Sequence, residues 1–215
     1  MRKERLAQER YGRDLGVWQT EYDLLEGEQR LARNPSVFRE LNTETTVVLH
    51  KKEFVLLIIT GVALVEPKKL PGHWVGGYSG VSFRVMKGVR VHTGSSRGHY
   101  EPGPTSPAAI AVGDVTVTNQ RVVFQSSAQA REFCFSKLIG YQHDPGLPLT
   151  YFQVSNRQKV SGIGYGVNAA RTWRFRLSLA IAAYNDDLPQ FAAHIDGDVA
   201  HQLERKPAPP LLVAG

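Results

Sequence analysis

At 215 residues, 42% hydrophobic and 21% charged, the chain has the length of one domain, or one domain with an appended segment, and enough apolar residues to bury a core. Two large domains and wholesale disorder are excluded, and the single cysteine, Cys134, excludes an intrachain disulfide or a multi-cysteine metal site and fits a reducing compartment. The net charge of +6 is unevenly spread along the chain, which matters more than its sum.

From residue 2 to about 33 the sequence is charged, with Leu15, Trp18, Tyr22 and Leu25 at spacings of three and four. That spacing predicts an amphipathic helix, weakened by Gly12, Gly16 and Gly27 and broken near Gly12 to Gly16. Asn34-Pro35 marks its end. The helix packs back on the body, self-associates or docks a partner, and packing back ranks first. Residues 1–42 thus form an N-terminal helical segment. Its basic residues have no apolar run behind them, so it does not read as a secretory signal, and a cytoplasmic location is expected, with peripheral membrane association as the alternative.

Residues 43–206 form the main domain. Its predicted strands are 45–49, 54–65, 81–86, 89–92, 114–118, 121–125, 131–135, 151–155, 159–163 and 172–180, several of them alternating apolar with polar residues as half-buried antiparallel strands do. In the last, Trp173, Phe175 and Leu177 alternate with Arg174, Arg176 and Ser178. Residues 67–80 read as a loop, and Met86 to Val89 and Thr118 to Arg121 as hairpin turns. The apolar run 54–65 is too short for a membrane-spanning helix, which needs about 20 residues. A helix is predicted over 187–206, where Leu188, Phe191, Ile195, Val199 and Leu203 recur at helical spacing, Pro189 sits in the first turn, and Asp186 or Asp187 serves as cap. Residues 207–215 read as a flexible tail. The fold class is therefore mainly β with flanking helices (α+β).

No enzyme constellation emerges. Cys134 lies in the alternating run 132–136, where a small core or sub-surface residue is usual. The seven histidines, His50, His73, His92, His99, His143, His194 and His201, contain no HExxH pair. Gly162 to Gly166 lacks GxGxxG spacing and a following helix pattern and reads as a hairpin loop, while Gly94 to Gly98 reads as a turn. No catalytic residue, cofactor or metal is predicted.

Charge supplies the binding candidates. Lys68, Lys69, Arg84, Lys87, Arg90 and Arg97 lie between Glu66 and Glu101 with no acid among them, and Arg157, Lys159, Arg171, Arg174 and Arg176 fill a second acid-free stretch between Asp144 and Asp186. Brought onto one face, these would attract phosphate-bearing partners; solvated strand faces are the simpler reading. The candidate protein-docking residues are Leu15, Trp18, Tyr22 and Leu25 on the N-terminal helix and Trp74 in the predicted loop, since tryptophan and tyrosine are enriched in hot spots.

The stretch GDVTVTNQRVVFQSSAQAREFCFSKLIGYQHDP (Gly113 to Pro145) resembles bacterial pleckstrin-homology-like domains of the GRAM type, through its Thr-Asn-x-Arg turn and Phe-x-Phe-x-Lys-Leu run. GYSGVSFRVMKGVRVHTGSSRG (Gly77 to Gly98) is similar to the segment preceding that pattern in actinobacterial members of the group. The resemblance implies a curved antiparallel β-barrel or sheet closed by a C-terminal helix, acting as a non-catalytic binding or scaffold module. A protein partner or self-association ranks first, an anionic lipid headgroup or other phospholigand second, nucleic acid third. Lipid-binding members place lysine and arginine in the early hairpin; here the nearest match is Arg84, Lys87 and Arg90 with Arg97, at a different spacing.

Overall fold

The computed structural model describes residues 2–40, 44–86 and 89–210, and for 2–3, 40, 74–86 and 89–98 the backbone alone. The chain opens with helix α1 (Arg2–Arg33), ended at Asn34-Pro35, and a single turn, α2 (Val37–Glu40). Among the described residues nine strands follow: β1 (Val55–Lys69), β2 (His73–Met86), β3 (Val89–Glu101), β4 (Thr105–Thr118), β5 (Arg121–Gln125), β6 (Ala130–Cys134), β7 (Leu138–His143), β8 (Leu149–Val154) and β9 (Ser161–Gly164). Two helices close the chain, α3 (Ala170–Tyr184) and α4 (Leu188–Glu204).

Seven strands form one curled antiparallel sheet in the order β6-β5-β4-β1-β9-β8-β7, and β2 with β3 forms a separate two-stranded ribbon. The ribbon is inserted between β1 and β4, whose own ladder runs from Val55↔Thr118 out to Lys69↔Thr105. It therefore leaves the sheet as an arm: the 14 residues of β2, at about 3.3 Å each, reach about 45 Å. Its base is tight. A Cβ on Gly72 would lie 2.3 Å from the Glu101 carbonyl oxygen, and one on Gly103 2.3 Å from that of Leu70, so only glycine lets the two chains pass.

The sheet curls around α3. Trp173, Leu177, Leu179 and Ala180 are fully buried against Val62, Leu64, Val115, Val117, Val122, Phe124, Phe133, Phe152 and Ile163. Trp173 is the centre: its ring stacks on Tyr165 at 4.9 Å, meets Phe152 edge-on at 6.4 Å, and its Nε1–H donates to the buried Thr150 hydroxyl at 2.8 Å. Thr150 also bonds His143 Nδ1 at 2.7 Å, and burial, then Arg174, pushes the His143 imidazole down from its ordinary value.

Several expectations are corrected. Residues 172–180 are helical: their two-residue alternation is too short to separate from helical spacing, and Trp173, Leu177 and Ala180 are the buried face at steps of four and three in an alanine-rich segment. The helix filling the sheet is thus α3, while α4, within the predicted 187–206, packs outside against α1 and α3. Asp187 holds the N-cap position of α4 without a side-chain capping bond, and Asp186 takes a positive φ of 58°. Residues 45–49 are not a strand; they form the loop described next. Residues 67–80 are mostly strand, 94–98 belong to β3, and 162–164 belong to β9, with a helix following after all. Helix α1 runs unbroken through Gly12 and Gly16. Strand β7 is an element the hydrophobic pattern did not announce, because Ile139 on it is 69% exposed.

The Thr118-Asn119-Gln120-Arg121 turn is a clamp on the loop ahead of β1. Asn119 Oδ1 accepts from the Phe54 N–H at 2.9 Å, its Nδ2 donates to the Lys52 carbonyl, and Gln120 Nε2 donates to that of Lys51. Arg121 donates to both carboxylate oxygens of Glu53 at 2.8 and 3.1 Å, to Glu132, and to the Val48 carbonyl at 2.7 Å. The Glu53 side chain is wholly buried. Burial raises its carboxyl, but the Arg121 guanidinium, the His50 N–H and the Thr118 hydroxyl together hold it below its ordinary value. Removing one partner of a buried pair typically destabilises by about 3–5 kcal/mol, because the other charge is left uncompensated. Chemical denaturation should show Arg121→Met losing stability of that order and the double variant Glu53→Met/Arg121→Met recovering part of it. A carboxyl lowered on folding contributes its stability above the unfolded value of 4.5 and loses it as pH falls below. The melting temperature of the wild type should therefore drop between pH about 5 and 3, and that drop should be smaller in Arg121→Met.

Candidate functional site

The N-terminal candidates fall into an internal interface. Trp18 is buried, stacked on Tyr22 at 5.2 Å, and its Nε1–H donates to the Gln202 carbonyl of α4 at 2.7 Å, while Gln202 Nε2 donates back to the Trp18 carbonyl at 3.2 Å. Leu25 lies with Phe191 and Ile195 of α4 in one groove, and Leu15 is half-buried. Arg171 of α3 ties α1 down by donating to Glu21 at 2.7 Å and Glu28 at 2.8 Å. Gln29 and Arg33 both reach Asp196 of α4 at 2.8 Å. Among the three roles open to the helix, the structure takes packing back on the body.

The cationic candidates are strung along the arm. Lys68 and Lys69 are exposed at the end of β1, Arg97 faces Gly77 in the ribbon, and Arg84 is the Cα partner of Arg90 near its far end. Lys87 lies outside the described residues. Gly77 and Arg84 are seven residues apart on one strand, or about 23 Å, so these cations share a ribbon and not a pocket. Trp74 is placed opposite Tyr100 at the base.

The sheet does gather a cationic cavity, at the end where β1 leaves for the arm. Its volume is about 460 Å³, and it is lined by Glu66 of β1, Arg131 of β6, Arg157, Gln158 and Lys159 of the β8–β9 loop, and Ser161 of β9. The pairing of Ala63 to Val65 with Gly162 to Gly164 brings that loop beside Glu66. Glu66 is the one acid in the lining and is already engaged: Arg131 Nε donates to it at 2.6 Å and the Ser161 hydroxyl at 3.1 Å. The Arg131 hydrogen bond holds its carboxyl below the usual value, against the opposing effect of burial, with Arg157 adding to the lowering. Arg157 lies 5.6 Å over the Phe133 ring, with its Nη1 buried and lacking any hydrogen-bond partner among the described residues. Lys159 is exposed and makes no ion pair among them. Lys68 shares a strand face with Glu66, two residues, or about 6.6 Å, further along β1. Of the two acid-free stretches, the second supplies the cavity with Arg157 and Lys159, while Lys68 of the first is not in its lining.

The second guanidinium with an orphaned nitrogen, Arg176, is packed otherwise. It stacks 4.3 Å over Phe38, and burial pushes its pKa down, so it serves the seam between α2 and α3. Local spacing does not announce Arg131, Arg157 and Lys159 as a site, because Arg131 on β6 is 65 positions from Glu66, the β8–β9 loop residues are still further away, and they meet only through the sheet. The acid-free run was the available signal.

Cys134 is half-buried, and burial followed by Glu132 pushes its thiol up, the opposite of what a nucleophile needs. Among the described residues no three His, Cys, Asp or Glu side chains gather as a metal site, and no helix is long and apolar enough to cross a membrane. No family model matches the chain, and neither the curated proteins nor the solved structures contain a match to it.

The Trp18 contacts predict their own disruption. Trp18→Ala removes the ring stack and the Gln202 bond and should destabilise the attachment of α1 by about 3 kcal/mol. Limited proteolysis should then cut within α1 first, leaving the β-sheet body resistant, whereas wild-type α1 is protected.

Proposed function

We propose that the chain is a non-catalytic binding module of the pleckstrin-homology-like type whose ligand is phosphate-bearing, held at the cavity between β1, β6 and the β8–β9 loop. The strand order supports the fold reading. With β2 and β3 set aside as an elaboration of the first hairpin, β1-β4-β5-β6 and β7-β8-β9 are two antiparallel meanders joined by β1–β9 pairing, and a helix follows the last strand. That arrangement fits the small curved barrel implied by the sequence resemblance.

The observation that carries the ligand reading is the buried Nη1 of Arg157, without a hydrogen-bond partner among the described residues, beside Lys159, which makes no ion pair among them. A buried guanidinium N–H without an acceptor is unfavourable, and a phosphate oxygen would relieve it. Arg131 fixes the geometry by occupying Glu66, and with three cations against that one acid the lining stays net positive. Arginine recognises phosphate through its planar fork and lysine as a point charge, a combination suited to a phosphomonoester or diester. Protein docking through Leu15, Trp18, Tyr22 and Leu25 has less support, because Trp18, the anchor of that set, is already buried against α4.

Calorimetric titration with inositol trisphosphate and with inorganic pyrophosphate tests the reading. Binding should weaken with salt and fall about ten-fold in Arg157→Gln and again in Lys159→Gln, the loss of one charge-assisted hydrogen bond each. Failure of both probes to bind, or equal affinity in wild type and the double variant, would sink it.

A further inference from the structure

A sheet that does not close has two terminal strands, and each presents a row of backbone N–H and C=O groups along its outer side. Here those strands are β6 and β7. Strand β6 is short and guarded by charge, carrying Arg131, bonded to Glu66, and Glu132, bonded to Arg121. Strand β7 has no such guard. From Leu138 to Gln142 it holds no charged side chain and no proline, and burial followed by Arg174 keeps its one titratable group, the His143 imidazole, toward the neutral form. Among the described residues its backbone pairs with β8 alone. Ile139, 69% exposed, and Tyr141, 37% exposed, flank Gly140 on it.

Glycine weakens a strand interior, and within one chain nothing calls for it at 140. A Cβ there would meet no atom within 4 Å, and its φ is not positive, so the register shift between Leu138 and Gly140 does not require glycine either. Close approach of a second backbone does. The residues at the two ends of β7 select which backbone: exposed Lys137 precedes the strand and Asp144 follows it. Two copies of β7 set antiparallel bring the Lys137 end of each to the Asp144 end of the other, whereas a parallel arrangement would bring like charges together.

We propose that the chain forms a two-fold dimer in which β7 pairs antiparallel with β7 of a second copy, joining the two sheets edge to edge. A two-fold contact is self-complementary, so the residue at its centre faces its own copy. Centred on Gly140, the pairing sets Ile139 opposite Tyr141 in both directions, two contacts of the β-branched–aromatic kind, and adds roughly six backbone hydrogen bonds. An unrelated extended peptide would gain the backbone bonds without the matched end charges or these side-chain pairs. The proposal needs no ligand in the cavity.

Sedimentation equilibrium of the full chain tests it, with thermal unfolding of every variant recorded to establish that it is folded. Wild type should pass from monomer to dimer between about 1 and 500 μM, the range of an interface at the small end of specific contacts. Ile139→Lys, which places a lysine from each copy beside the axis, should weaken the dimer at least about ten-fold. Lys137→Glu should weaken it about three-fold at low salt and much less at high salt. Val167→Lys, at a valine 78% exposed and off this edge, should leave it unchanged. Gly140→Cys in a Cys134→Ser background should give a disulfide-linked dimer on mild oxidation, because directly opposed residues lie within disulfide reach. A wild type that stays monomeric throughout overturns the proposal, and slow hydrogen exchange of its β7 amides would then assign the edge to a segment of its own chain. A dimer that Ile139→Lys leaves intact, or that Gly140→Cys fails to cross-link, overturns it equally.

Discussion

The whole molecule is organised around one indole in the hollow of a curled sheet. An antiparallel sheet with an apolar inner face has to bury it, and here α3 supplies the cover by placing Trp173 between Tyr165, Phe152 and Thr150. The ring contributes a large buried area, and its single N–H is satisfied by the Thr150 hydroxyl, so this enclosed polar group is paired. The other helices follow from this placement. With α3 in the hollow, its outer side presents Arg171 to Glu21 and Glu28 of α1, and α4 packs beside it as the surface on which α1 lies.

Closing one side with helices leaves the rim of the sheet open. The Glu53–Arg121 pair fixes the start of β1 against the β4–β5 turn, and the β1–β9 pairing fixes its middle, so the point where β1 runs out toward the arm is held from behind. At that point the β8–β9 loop brings Arg157 and Lys159 next to a glutamate already occupied by Arg131. The rigid sheet thus mounts a net cationic cavity at its rim, and the arm extends from the same strand.

The legible parts of the sequence were those with a local cause. Asn34-Pro35 ended α1 because the residue before proline avoids helix, and Pro189 in the first turn marked the start of α4. The Thr118 to Arg121 turn joined β4 and β5 as read, and its polar residues also make the clamp on Glu53 that no local rule contains. The Thr172 to Ala180 segment was misread because six residues of alternation carry too little phase information to choose between a period of 2 and one of 3.6. Residues 67–80 read as a loop and 94–98 as a turn because glycine breaks isolated elements, yet Gly76 pairs with Gly98 and Gly80 with Gly94 in a long ribbon.

By itself the sequence determined a mostly antiparallel β domain flanked by helices, and two cationic stretches without acids, since composition, period and charge order are properties of the chain alone. Tertiary structure decided which cations meet: Arg157 and Lys159 join Arg131 and Glu66 only because β9 pairs with β1 across about a hundred residues of chain, a register that no window of sequence contains. It likewise decided that Trp18 packs on α4, because the outcome depended on whether another element offered a matching face, and Gln202 of α4 does.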